Sequence, residues 1–190
     1  MILARARFVG FALPLASALA SLALAAQAAP APALGEQVAA ALSQGARASA
    51  LDERDGVAKA LSVIERSGAH PLPNWNGPDP VPGWRTFVPD ETPPMRGSSL
   101  GPGYRSGQVL AGRSEKFEQI FLSGQKASIA LSTPGSAPLS LRVLDSDANP
   151  VCVSRNGRHF CRWVPLFTQR YVIEVRNPGD TVADYFLVVD

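Results

Sequence analysis

Two cysteines, Cys152 and Cys161 in "CVSRNGRHFC", are the residues best placed to do chemistry, and that chemistry is oxidation to a disulfide. They stand symmetrically about Asn156-Gly157, the dipeptide that most favours a two-residue turn with positive φ at both positions. In that register Ser154 faces His159, Val153 faces Phe160, and Cys152 faces Cys161. The cysteines then occupy a non-hydrogen-bonded pair, whose Cα atoms lie about 4.5 Å apart, within disulfide reach. A cross-strand disulfide is therefore expected, and with it an oxidising compartment.

Other constellations fail on spacing or context. Asp145, Asp147 and Asn149 offer oxygens at alternate positions, as a calcium loop does, but Pro150 and Asn156 stand where an EF-hand needs Gly and Glu. They read as a turn between strands, with a weak metal site as the alternative. Gly97-Ser98-Ser99-Leu100-Gly101 matches the nucleophile-elbow expression, yet Pro93-Pro94 before it and Pro102 after it deny it the strand and helix that chemistry needs. Ser154 and His159 have no acid in their hairpin to orient the imidazole. Two histidines and two paired cysteines leave no zinc site. No catalytic residue, metal or cofactor is expected, and the chain reads as a protein that is not an enzyme.

Two groups could bind instead of react. From Val151 to Tyr171 there is no acid, while Arg155, Arg158, Arg162 and Arg170 could meet an anion. Trp75 and Trp84 fall in a Pro/Gly-rich stretch, where an exposed aromatic platform could take a sugar or a peptide.

The elements that must position these residues follow from the pattern along the chain. Residues 1–28 read as a secretory signal: Arg5 and Arg7, an apolar run from Phe8 to Ala26, and a small-x-small site at Ala26-Gln27-Ala28. An uncleaved anchor is the alternative, the run being nearly long enough to span a bilayer. Removing the segment takes two of the 18 basic residues and none of the 16 acidic ones, so the remaining charges balance. That excludes nucleic acid, whose binding rests on a basic field. A membrane enters only transiently, through the signal.

Residues 29–69 form a helical region: Val38, Ala41 and Leu42, then Val57, Ala60, Leu61 and Ile64, recur at helical spacing. Gly45 is expected to split it, Asp52, Glu53 and Asp55 to start the second helix, and Gly68 to end it. Such short, alanine-rich helices must dock on something to be stable. Residues 70–103 should be an extended strap without regular elements, its aromatics, Trp75, Trp84 and Phe87, filling grooves of the β-domain. Residues 104–190 change to period two, with strands at 116–122, 125–132, 139–145, 151–155, 158–163, 170–176 and 184–189. Ala127, Ile129 and Leu131, then Leu139, Leu141 and Val143, then Tyr171, Ile173 and Val175 mark the core face. The fold class is mainly β, an antiparallel jelly-roll-like β-sandwich with a short N-terminal helical region.

"SEKFEQIFLSGQKASIAL", "LSLRVLDSDANPV", "QRYVIEVRNPG" and "ADYFLVV" occur in the order and spacing of one family. Over about residues 104 to 190 the chain resembles the bacterial pre-peptidase C-terminal domain. The resemblance implies a jelly-roll-like sandwich of the kind appended to exported proteins, some of whose members bind collagen or polysaccharide. Pro138 and Ser140 replace the Asp-x-Asp that members often carry, so their calcium site is not implied here.

The chain is therefore expected to be a periplasmic or secreted non-enzymatic binding module for a glycan or a protein of the envelope or exterior. Its ligand residues would be Trp75, Trp84, Arg155, Arg158 and Arg162. The alternative is a structural or assembly protein whose N-terminal helices pair with a partner.

Overall fold

The computed structural model describes residues 31–73, 75–88, 101–154 and 159–190. The signal segment, the Asn156-Gly157 turn with Arg155 and Arg158, and residues 97–100 of the nucleophile-elbow match lie outside them.

Eight antiparallel strands build a jelly roll: β2 (Gly103–Val109), β3 (Ser114–Phe121), β4 (Ala127–Ser132), β5 (Ser140–Leu144), β6 (Pro150–Val153), β7 (Phe160–Trp163), β8 (Gln169–Arg176) and β9 (Ala183–Val189). Among these eight, one sheet has the order β2-β9-β4-β7 and the other β3-β8-β5-β6, so only β5 and β6 are both consecutive in the chain and adjacent in a sheet. The strand β2 precedes the seven expected from the sequence. A two-residue strand β1 (His70–Pro71) adds in parallel to the outer edge of β2.

This topology corrects the cysteine hairpin. The strand β6 pairs with β5, through Val143 and Cys152, whereas β7 pairs with β4, through Ile129 and Cys161. Cys152 and Cys161 are joined, as expected, but the bond links the two sheets rather than two strands of one hairpin. Ser154 and His159 therefore do not face each other. Ser154 exchanges backbone and side-chain bonds with Leu141, and the His159 carbonyl accepts from the Leu131 amide. Across the opposite edge of the sandwich, Arg105 of β2 donates to Glu115 of β3 at 2.7 Å and stacks 4.2 Å over Phe117. One covalent and one ionic clasp thus close the two edges where the sheets meet.

The interior between the sheets holds the expected alternating residues, Ile129, Leu141, Val143, Ile173 and Val175 among them, all fully buried. A second core lies on the other face of the β2-β9-β4-β7 sheet, beneath α1 (Leu34–Ala50) and α2 (Arg54–Ser67). The strand β9 is buried on both sides: Tyr185, Leu187 and Val189 enter the sandwich, and Phe186 and Val188 meet the helices. That double burial is why "YFLVV" does not alternate. Gly35, Ala39 and Ser43 recur every fourth residue and let α1 lie close against β4, where the Ser132 hydroxyl donates to the Ala39 carbonyl.

The helical break falls at Leu51–Glu53, not at Gly45, and Asp52 takes the left-handed conformation there (φ 57°). Gly45 stays inside α1 because Trp84 and Ala60 press on it, not because the chain turns. The end of α2 follows expectation, with Gly68 in the left-handed region (φ 68°). The strap carries a helix of its own, α3 (Val81–Phe87), which starts through Pro82 near its first turn and buries Val81 and Trp84 against the helical pair.

Candidate functional site

A cleft of about 570 Å³ opens where four segments meet: Ala46 of α1, the strap at Pro78–Pro80, the end of β2 and the start of β9. Strand pairing sets its floor, because Ser106, Gly107 and Gln108 lie opposite Phe186, Tyr185 and Asp184. Gly107 is required at its place. A Cβ there would meet the Tyr185 phenol oxygen at 2.7 Å. Pro134, just past β4, closes one side.

The strap is tied to this floor by polar groups. The Ser106 hydroxyl donates to the Pro78 carbonyl at 2.7 Å, and the Tyr104 phenol donates to both Asp79 carboxylate oxygens at 3.0 and 3.1 Å. Asp79 also accepts the Val81 amide and so begins α3. Burial, and then the Asp79 carboxylate, hold the Tyr104 phenol above its usual range. Burial likewise raises Tyr185, with Arg105 opposing and Glu115 adding to it. On the other lip, Gln108 donates to Asp184 at 2.7 Å.

The cleft is thus apolar inside, at Ala46, Pro80, Pro134 and Phe186, with carboxylates at Asp79 and Asp184. Among the described residues that line it there is no lysine, arginine or histidine. Arg85, whose charge is felt at Tyr104, is held by Glu65 at 3.0 Å. Such a lining can hold an apolar group whose neighbours are cationic. It offers no nucleophile with an adjacent base.

Of the residues expected to bind, the structure describes Trp75, Trp84 and Arg162, and it does not gather these three into one site. Trp84 is 4% exposed, packed in the helical core, and presents no face to a ligand. Trp75 is half-buried and set edge-on against Tyr104. Arg162 is exposed on β7, with its guanidinium 5.1 Å from the centre of the Phe160 ring. The strands β9 and β4 separate β7 from β2, so Arg162 and Trp75 lie at opposite edges of one sheet. Asp145 and Asn149 form the expected turn: Asp145 Oδ1 accepts the amides of Asp147 and Asn149, and the Asn149 carbonyl accepts the Asp145 amide.

Two features escape the sequence reading. Asp79 and Asp184 lie far apart in the chain, so no spacing rule pairs them. The second feature is the β7–β8 loop, which exposes Leu166 (81%) and Phe167 (72%) beside Val164. Its signal was present, an apolar "VPLF" between strands. The loop is fixed in place: Gly124 and Ser123 of the facing turn donate to the carbonyls of Pro165 and Leu166.

No family model and no curated protein matches this chain. Among solved structures it is similar to the periplasmic inhibitor of g-type lysozyme, PliG, of Aeromonas hydrophila. The identity is 13%, over 47% of this chain and 84% of that one, with a TM-score of 0.41. It is also similar to the pre-peptidase C-terminal domain of a Bacillus anthracis collagenase, at 14% identity over 46% and 87% with a TM-score of 0.41. A mitogen derived from Yersinia pseudotuberculosis is 9% identical over 47% and 84%, with a TM-score of 0.40. These are likenesses of fold; the strand order of the chain itself defines the jelly roll.

Proposed function

We propose that the chain is a non-enzymatic binding module of an oxidising, extracytoplasmic compartment, and that its cleft receives a projecting segment of a protein. The observation that carries this reading is the largely apolar cleft with Asp79 and Asp184 among its lining residues. Its volume lies within the roughly 300 to 1,000 Å³ of ordinary ligand sites, and its few polar groups converge on an apolar floor. The Cys152–Cys161 bond supports the compartment. Among the described residues no helix is long and apolar enough to cross a membrane.

A protein is favoured over a glycan because the aromatic platform that a sugar would need is spent on packing. Trp84 is buried and Trp75 leans on Tyr104. The assembly reading through free N-terminal helices loses support as well, since Val38, Leu42, Val57 and Ile64 are consumed in the second core.

A displayed library of random peptides, panned against the protein and against Ala46→Arg, tests the reading. Ala46 is a half-buried helical position on the cleft wall, and arginine keeps the helix while filling the cleft with a cation. Enrichment of peptides joining bulky apolar residues to lysine or arginine, lost on Ala46→Arg, is expected. Peptides that bind both proteins equally, or no enrichment, would overturn the proposal.

A further inference from the structure

The chain carries a projection of the kind its cleft fits. Between β7 and β8 the sequence is Arg162-Trp-Val-Pro-Leu-Phe-Thr-Gln-Arg170: an apolar centre, an arginine at each end, no acid. Leu166 and Phe167 are the most exposed large apolar side chains among the described residues, at 81% and 72%. They are not loose, because the loop is bonded to the β3–β4 turn, which also presents exposed Lys126. Apolar groups held out in an ordered loop mark a contact surface.

A molecule cannot insert this loop into its own cleft. Trp163, the last residue of β7, lies opposite Ala127 at the start of β4, whereas Pro134 of the cleft follows the end of β4. At about 3.3 Å per residue the two features are roughly 20 Å apart, at opposite ends of the same sheet. Beside the projection Arg162 and Lys126 are exposed, while Arg170 at its far end is paired with Glu118 at 2.8 Å; the cleft has carboxylates at Asp79 and Asp184 and no cation among the described residues that line it. Convex apolar meets concave apolar, and positive meets negative.

Resting on the reading of the cleft as a protein-binding site, we infer that its partner is a second copy of this chain. The loop Val164–Phe167 of one molecule enters the cleft of the next. Such a contact is heterologous, joining two different patches, so it propagates head to tail into a ring or an open chain instead of closing a two-fold dimer.

Sedimentation velocity from micromolar to millimolar concentration tests this with two variants. One is the tip variant Leu166→Ser/Phe167→Ser, whose side chains are exposed and not needed for folding. The other is the cleft variant Ala46→Arg. Wild type is expected to grow beyond a dimer with concentration, and each variant alone to weaken association at least about tenfold, as loss of a central contact does. An equimolar mixture of the two variants retains one intact tip and one intact cleft, so it should form a heterodimer and stop there. A synthetic peptide of residues 162–170 should dissolve the wild-type assembly.

Wild type that stays monomeric, while panned peptides still depend on Ala46, would overturn self-association and leave the cleft reading standing. Loss of that dependence as well would remove both. Assembly unchanged by Ala46→Arg, or a monomer whose tip instead floats with phosphatidylethanolamine–phosphatidylglycerol vesicles, would also overturn it.

Discussion

The Cα atoms of Cys152 and Cys161 stand 5.9 Å apart on strands of opposite sheets, so the disulfide clasps the mouth of the sandwich at its β6–β7 edge. Closing a loop of about ten residues stabilises the fold by about 2 to 3 kcal/mol. Replacing both cysteines by serine should cost that much in urea unfolding while leaving the far-ultraviolet circular dichroism unchanged. An unchanged midpoint would show that the bond clasps nothing the packing does not already hold.

Gly45 lies beneath Trp84. A Cβ there would come within 2.8 Å of the indole and 2.9 Å of the Ala60 methyl. Alanine gains about 1 kcal/mol in helix propensity. The overlap of a rigid ring and a neighbouring helix outweighs it, so Gly45→Ala should lower stability by about 1 to 3 kcal/mol. A stabilised variant would mean that α1 and α3 can move apart freely.

Asp79 holds the strap by accepting from the Tyr104 phenol and the Val81 amide. Asp79→Ala leaves both donors unpaired, at about 1 to 3 kcal/mol for each buried group. Unfolding followed by tryptophan fluorescence should show that loss, and Asp79→Asn, which keeps an acceptor, should recover most of it. Equal midpoints for alanine and aspartate would refute the anchoring role.

Burial lowers the His159 pKa below the ordinary 6.5, and its Nδ1 is buried with no partner among the described residues. A proton that the unfolded chain accepts more readily than the folded one destabilises the fold as pH falls. Stability should be fully present above about pH 6.5 and decline as pH drops through the depressed folded value. His159→Gln should remove that part of the decline. Parallel pH profiles for the two proteins would contradict it.

The fold was legible where burial is one-sided. Ile129, Leu141 and Ile173 alternate with polar neighbours, and each lands in the sandwich interior. Two-sided burial hid the rest: Phe186 and Val188 look like core residues in the sequence, but nothing there says that they face helices. The Asn156-Gly157 signal is local and carries no information about sheet membership, so it implied a hairpin where the jelly roll sends β6 and β7 to different sheets. Glycine at 45 reads as a helix breaker by propensity, and the contact with Trp84 that fixes it is long-range. The cleft was illegible for the same reason, since Asp79 and Asp184 meet only through the strap docking on β2 and β9.

The proposed occupant of the cleft is an apolar projection flanked by cations. Two-dimensional amide spectra of the ¹⁵N-labelled protein, titrated with the cyclised peptide Arg-Val-Pro-Leu-Phe-Arg, test it most directly. Saturable shifts concentrated at Ser106–Gln108 and Asp184–Phe186 are expected. Shifts confined to residues outside the cleft lining, or none at millimolar peptide, would contradict it.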